Sequence, residues 1–199
     1  MSSDIWREPA STQGLRHAPT TIALHWLTAI TVLLLWGIGQ TVDLAPNGPL
    51  RVDYRSAHIL LGLVLGLLIA FRLLWRAARG GMLPPLDSGL LLIMARITHW
   101  ALYGLMICTV VLGVAYVWAR GDSIFNLFAI PQLSPGNKPL IHQIGGWHAL
   151  AANTVLIVAG LHAAAGLFHH YAMRDDTLRR MLPRARSGSP GGARAEPKP

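Results

Sequence analysis

The sequence predicts an all-α membrane protein that folds as a bundle of four transmembrane helices. Of its 199 residues, 52% are hydrophobic and only 13% are charged, whereas about 25% of the residues in a typical soluble domain are charged. The mean hydropathy is correspondingly high, at +0.41. Four apolar runs are each long enough to cross a bilayer, which takes about 20 residues in a helix.

The four predicted spans are residues 20–40, 54–75, 94–118 and 146–171. Turn-forming residues at 43–49 follow the first span, and a basic connector at 76–85 follows the second. The longer third connection, 119–144, contains a short amphipathic stretch around 123–130 that we expect at the membrane surface. Residues 173–186 are expected to extend the last helix beyond the membrane.

The ends of the chain differ in composition from the spans. Residues 1–18 are polar and lack the apolar core and cleavage site of a signal peptide. We therefore expect a cytoplasmic N-terminal segment (1–18), a transmembrane domain (19–183) and a flexible cytoplasmic tail (184–199). The tail is rich in Gly, Pro, Ser and Ala, and disorder is expected over 188–199.

Lys and Arg are distributed unequally between the two sides that four crossings define. The side with both termini carries thirteen of the 17, and the other side carries Arg51, Arg55, Arg120 and Lys138. Because cytoplasmic loops are enriched in Lys and Arg, both termini are predicted in the cytoplasm. The net charge of +8 lies at span ends and in the tail rather than on a basic helix interleaved with aromatic residues, so no nucleic-acid partner is expected.

Two histidines of the last span lie on one helix face. His148 and His162 are separated by 14 residues, which is almost four turns and about 21 Å along the axis. The small residues Ala152, Val155 and Ala159 lie between them on that stripe. Small residues also permit close helix packing, but ionisable groups inside a span are costly and are usually functional.

The predicted topology sorts the histidines into two depths. His58 and His148 each open a span on the outer side, whereas His25 and His162 belong to the cytoplasmic leaflet. Two imidazoles at each level are what a six-coordinate b-type haem needs. Cys108 is the only cysteine and there is no C-x-x-C-H motif, so a covalently attached c-type haem is excluded.

Other polar residues in the spans have more than one interpretation. Arg72 lies fourteen residues after His58, at the inner level. It either pairs with a haem propionate, lines a quinone pocket, or reaches the interface as a stop signal. His99 either bonds a propionate or is solvated. His169 and His170 are expected chiefly as interfacial anchors, with a haem or quinone role as the alternative.

The chain resembles the bacterial cytochrome b561 family over about residues 18–183. The resemblance is carried by HW at His25, SAHILLGL at His58, RITHWALYGLM in the third span and GWHALAANTVLIVAGLHAAAGLFHHYAMRDDTLRRMLP in the fourth. It implies a four-helix bundle of the bacterial inner membrane that encloses two b haems, held non-covalently by His25, His58, His148 and His162. Arg72 is kept as a further cofactor-binding candidate.

The resemblance also implies transmembrane electron transfer with ubiquinone as a substrate, and in one branch the oxidation of superoxide. No acid–base or nucleophilic residue is needed for such a reaction. One alternative is a haem-bearing anchor that passes electrons between quinone and a partner dehydrogenase, of the hydrogenase or formate dehydrogenase type. A metal-ion transporter is disfavoured, because no Asp or Glu lies within a predicted span.

Overall fold

A computed structural model describes residues 16–79 and 88–183, and these form four long helices. The helices are α1 (Pro19–Thr41), α2 (Pro49–Arg79), α3 (Gly89–Arg120) and α4 (Lys138–Phe168). Each is long and apolar enough to cross a membrane, so the predicted fold class is confirmed. The helices extend beyond the predicted spans at most ends, by as much as eight residues where α4 begins at Lys138 rather than at 146, whereas the predicted fourth span ends at 171 and α4 ends at Phe168.

Local chemistry explains several helix ends. Pro19 occupies the first turn of α1, where its missing N–H would have no intrahelical partner. Asn137 caps α4 by accepting the Leu140 N–H at 3.1 Å. Gly121 ends α3 with a φ of 70°, a left-handed conformation that glycine adopts without steric cost. These caps place the C-terminal end of α3 and the N-terminal end of α4 beside the third connection.

The third connection contains a small β-hairpin. Its strands, β1 (Ser123–Ile124) and β2 (Phe128–Ala129), pair in antiparallel register. Phe125 and Asn126 form the turn with positive φ angles of 48° and 57°. Ser56 of α2 is fully buried beneath the hairpin, and its Oγ accepts the Phe125 N–H at 2.8 Å. The amphipathic stretch predicted around 123–130 is therefore a hairpin anchored on α2.

The chain after α4 departs from the prediction of a helical extension. A π-helical turn follows at His169–Met173, and Arg174 then adopts a left-handed conformation with a φ of 55°. The Asp175 carboxylate accepts the Thr177 N–H at 2.8 Å, which stabilises a turn in place of further helix. A 3₁₀ turn at Arg179–Met181 completes the described part of this end.

The two ends of the described chain meet on one side of the bundle. The His17 N–H donates to the Arg180 carbonyl at 3.3 Å, and Trp26 Nε1 donates to the Met181 carbonyl at 2.8 Å. An even number of crossings requires this arrangement. The N-terminal residues 1–15, the connector 80–87 and the tail 184–199, including the predicted disorder at 188–199, lie outside the described residues.

The buried core is narrow and lies midway along the helices. Its members are apolar residues from all four helices: Leu35, Leu65, Ile69, Tyr103, Met106 and Val155. The outward faces are also apolar; Leu67 is 71% exposed and Leu161 is 66% exposed. Exposed apolar surface of this extent is expected to face lipid rather than water. The chain is a multi-pass membrane protein.

Candidate metal centres

The first candidate centre lies between α2 and α4. His58 and His148 face each other with ring centroids 6.1 Å apart and planes inclined at 82°. Both helices bring these residues to the same level of the bundle, in the N-terminal part of α2 and of α4. The two histidines that the sequence assigned to the outer level are thus brought together.

The second candidate centre lies between α1 and α4. His25 and His162 have ring centroids 6.3 Å apart, with planes inclined at 70°. Fourteen residues of α4 separate His162 from His148, so the two pairs are about 21 Å apart along that helix. The structure therefore brings together the same pairs that the depth argument proposed.

Each pair of rings could hold one metal ion between its two imidazoles. A metal–nitrogen bond is about 2.0–2.1 Å long, so centroids 6.1 and 6.3 Å apart would leave room for one metal between the rings of each pair. Among the described residues, no group of three or more His, Cys, Asp or Glu side chains is arranged to hold a metal ion. Two imidazoles suffice where a porphyrin supplies the other four nitrogens, so the donor set fits haem.

The outer pair is oriented by backbone groups and by missing side chains. His148 Nδ1 donates to the Thr109 carbonyl at 3.0 Å, which leaves Nε2 unprotonated and available to a metal. A Cβ at Gly113 would lie 3.0 Å from His148 Cε1, and a Cβ at Gly39 would lie 3.4 Å from His58 Cε1. The two glycines thus admit the two rings. The buried Nδ1 of His58 makes no well-formed hydrogen bond in the described part of the chain, although the Leu35 carbonyl is close to that ring.

Arg72 lies at the inner pair, as the sequence predicted. Its Nη2 donates to His25 Nδ1 at 3.3 Å. A guanidinium only donates hydrogen bonds, so in this contact Nδ1 is the acceptor and the proton of a neutral ring is on Nε2. If His25 were to hold a metal through Nε2, a neutral ring would need the opposite tautomer, with the proton on Nδ1. Arg72 would then lose this hydrogen bond, and its donors would be available to an anion.

His99 is the residue at this level that the sequence left unresolved. Its ring centroid is 5.1 Å from that of His162, with planes inclined at 68°. His99 therefore lies beside the inner pair, next to His162. One feature of the sequence could have indicated the level of His99. His99 and Gly113 are separated by 14 residues, as His148 and His162 are.

The remaining histidines belong to neither pair. His169 Nδ1 and Asp175 Oδ2 are 2.6 Å apart. Burial alone would raise the pKa of Asp175, but the hydrogen bonds with His169 and with the Thr177 N–H outweigh it and lower that pKa below its ordinary value. His170 lines an open cavity of about 400 Å³ with Tyr171, Arg174, Asp175 and Arg179. His142, which falls within the predicted third connection (119–144), is an exposed residue of α4.

A family model and several known proteins match most of this chain. The model of the prokaryotic cytochrome b561 family matches residues 16–184. The chain is 31% identical over 170 residues to a Yersinia pestis protein named probable superoxide oxidase CybB, covering 83% of this chain and 94% of the relative. Two Escherichia coli proteins also match over 176 residues. Cytochrome b561 homolog 2 is 29% identical, and the match covers 86% of this chain and 94% of the relative. Cytochrome b561 homolog 1 is 30% identical, and the match covers 85% of this chain and 98% of the relative.

Proposed function

Because the chain belongs to the prokaryotic cytochrome b561 family, we propose that it transfers electrons across the membrane from superoxide to ubiquinone. Membership itself makes the chain a membrane oxidoreductase or electron-transfer protein that binds b-type haem. The specific substrates, the number of haems and their ligands are the proposal. One relative of 31% identity carries the name probable superoxide oxidase, which supports this choice of donor.

The observation that carries the proposal is the presence of two imidazole pairs at separate depths. His58 and His148 would hold one haem, and His25 and His162 the other. A bound haem supplies an iron that gains and loses single electrons. The residues between the pairs, including Leu65, Met106 and Val155, are apolar and buried. They keep water out of the layer that separates the two centres.

The basic groups at the inner level have a proposed role toward the haem carboxylates. Ligation of His25 through Nε2 frees Arg72 from the ring nitrogen it now contacts at 3.3 Å. His99, beside His162, offers a second donor at the same depth. We assign Arg72 and His99 to hydrogen bonds with propionate groups, since buried carboxylates require paired or hydrogen-bonded partners.

The proposed orientation places both termini in the cytoplasm of a bacterial inner membrane, with the hairpin outside. Superoxide is an anion, and a cationic outer surface would steer it by long-range attraction. Of the four outer cations, Arg120 is paired with Asp122 at 2.7 Å and Arg51 donates to the Asp43 and Ala45 carbonyls. Arg55, 4.0 Å from Asp43, and Lys138 are less constrained and would contribute most. Superoxide turnover should fall as ionic strength rises.

The deciding experiment is a reduced-minus-oxidised spectrum of the purified protein, with haem counted per chain. We expect two b haems. His58→Ala and His148→Ala should remove the same spectral component, and His25→Ala and His162→Ala the other, whereas the control His142→Ala should remove neither. Paired losses between His25 and His148 would overturn the assignment. Copurification of a dehydrogenase that reduces the haems would replace superoxide as the donor.

A further inference from the structure

An apolar groove opens between α2 and α3 on the outside of the bundle. Its volume is about 210 Å³, and its lining is entirely apolar: Gly66, Ile69, Ala70, Leu73, Ile107, Val110 and Val111. Ile69 is buried at 2% exposure and forms part of the floor, whereas Val111 at the rim is 60% exposed. The groove is therefore accessible from the lipid phase and is separate from both histidine pairs.

Small residues of α2 create the groove. Gly66 has no side chain, and a Cβ at this position would contact Val110 Cγ1 at 3.4 Å. Ala70, one turn further along, is also small and exposed. From Gly66 to Leu73 the groove follows α2 for about 10 Å, which is about two thirds of the roughly 15 Å hydrocarbon thickness of one leaflet. Its length and shape suit a single hydrocarbon chain.

A cationic and aromatic site lies at the Leu73 end of this groove. Arg76, less than one turn beyond Leu73, is exposed and its guanidinium carbon lies 5.8 Å from the centroid of the Trp100 ring. One turn deeper, Arg72 lies 5.5 Å from the Tyr103 ring centroid. A hydrocarbon chain in the groove would thus emerge beside a guanidinium that is held at the membrane interface by an exposed tryptophan.

We propose that the groove binds one anionic phospholipid, with an acyl chain along Gly66–Leu73 and its phosphate on Arg76. Charge complementarity decides the occupant. A neutral prenyl chain would fill the groove equally well, but its quinone head offers Arg76 only uncharged carbonyl acceptors, whereas a phosphate offers a full negative charge and a stronger, charge-assisted hydrogen bond. The Arg76 side of the bundle carries the excess of basic residues, which suits a leaflet rich in anionic lipid. The proposal depends on neither haem ligation nor the redox substrates.

The test is native mass spectrometry of the haem-loaded protein with added phosphatidylglycerol or phosphatidylcholine. The wild-type protein should retain one phosphatidylglycerol. Ala70→Phe fills the groove and should abolish that retention. Arg76→Gln should reduce the preference for phosphatidylglycerol over phosphatidylcholine roughly fivefold, the effect of one cation near a membrane surface.

Matched controls separate this site from general lipid contact. Ala101→Phe places the same bulk at an exposed position of α3 outside the groove, and Arg96→Gln removes another exposed arginine of the same side. Both should retain the lipid, and all four variants should keep the wild-type haem spectrum. Equal retention by Ala70→Phe and Ala101→Phe would overturn the proposal. Displacement of the lipid by ubiquinone, with no effect of Arg76→Gln, would also overturn it.

Discussion

Gly113 shows how a missing side chain can position a candidate ligand. The His148 ring lies over this glycine, so that an added Cβ would be only 3.0 Å from Cε1. The ring cannot move away from Gly113 without breaking the hydrogen bond that its Nδ1 donates to the Thr109 carbonyl at 3.0 Å. The glycine and the carbonyl together define both the position and the tautomer of the imidazole.

If His58 and His148 hold a haem as proposed, Gly113→Ala should weaken haem binding at that outer centre. Overpacking at a constrained site costs about 1–3 kcal/mol, equivalent to roughly 5- to 150-fold in affinity. The measurement is the rate of haem loss to an excess acceptor, followed at the outer spectral component. Gly104→Ala is the control, because a Cβ at Gly104 meets nothing within 4 Å. Identical rates for the two variants would contradict the steric role.

Arg72 gives a residue-scale prediction for the inner centre. If its guanidinium binds a propionate once His25 is ligated, Arg72→Gln removes a charge-assisted hydrogen bond worth about 1.5–3 kcal/mol. Haem loss from the inner centre should accelerate roughly 10- to 150-fold, while the outer component is unaffected. Arg96→Gln, an exposed arginine of α3, is the control. An unchanged rate of haem loss in Arg72→Gln would show that Arg72 does not bind a propionate and would favour its alternative role as an interfacial cation.

The histidines could be found from the sequence, whereas the groups that orient them could not. A 14-residue spacing of His148 and His162 is visible in the letters and fixes their common face. The partner of His148 Nδ1 is a backbone carbonyl, that of Thr109, and every residue has one. Gly39 and Gly113 are equally hard to distinguish, because glycine is common in transmembrane helices for reasons of packing.

At the scale of elements, the hairpin β1–β2 depends on one hydroxyl group. Ser56 Oγ accepts the Phe125 N–H at 2.8 Å and donates within α2 to the Val52 carbonyl at 2.8 Å. Phe125 lies in the turn with a φ of 48°, a conformation that is unfavourable for a bulky residue. The sequence predicts only a surface segment here, because Phe125 is not a residue type that indicates a left-handed position.

We predict that Ser56→Ala loosens the hairpin while leaving the helices intact. Leaving the Phe125 N–H without its acceptor costs about 1–3 kcal/mol. Protection of this amide against hydrogen exchange should fall roughly 5- to 150-fold. Thr154→Ala is the matched control, since Thr154 Oγ1 donates to the Leu150 carbonyl of its own helix at 2.8 Å. A hairpin equally protected in both variants would show that its strands are stable without Ser56.

The junction between the start of α1 and the segment after α4 should respond to pH. Burial lowers the pKa of His17 below its ordinary 6.5, and the nearby positive charge of Arg180 lowers it further. An unfolded His17 thus binds protons more readily than the docked one, so docking is strongest above pH 6.5 and weakens as the pH falls below that value. Asp175 does not change its charge between pH 5 and pH 7, because its pKa lies below the ordinary value of 3.8.

The measurement is hydrogen exchange of residues 176–182 at pH 7 and pH 5, corrected for intrinsic rates. We expect reduced protection at pH 5 in the wild-type protein. In His17→Gln the group that titrates is removed, so protection should differ little between the two pH values. An unchanged pH dependence in His17→Gln would assign the effect to another group.

At the scale of the whole molecule, every helix contributes one residue to each of two layers. Within each helix the two residues are 14 positions apart, so that each helix places one of them in each layer. The outer layer contains Gly39, His58, Gly113 and His148, and the inner layer contains His25, Arg72, His99 and His162. The outer layer pairs two rings with two glycines, whereas the inner layer has three rings and a cation. The 14-residue spacing is visible in the sequence of every helix. Only the packing of the helices shows that the spaced residues of all four lie in the same two layers.

This layered construction predicts that changes at the two levels act independently. The layers are about 21 Å apart, well beyond the roughly 7–10 Å within which substitutions usually interact. The double variant Gly113→Ala with Arg72→Gln should therefore lose each haem at the rate of the corresponding single variant, within about 0.5 kcal/mol or roughly a factor of two. His99→Leu with Arg72→Gln, two changes within one layer, is the comparison that should be non-additive. If instead the outer haem of the cross-layer double variant leaves much faster than in Gly113→Ala alone, the two centres share one cooperative unit and the layers are not separate sites.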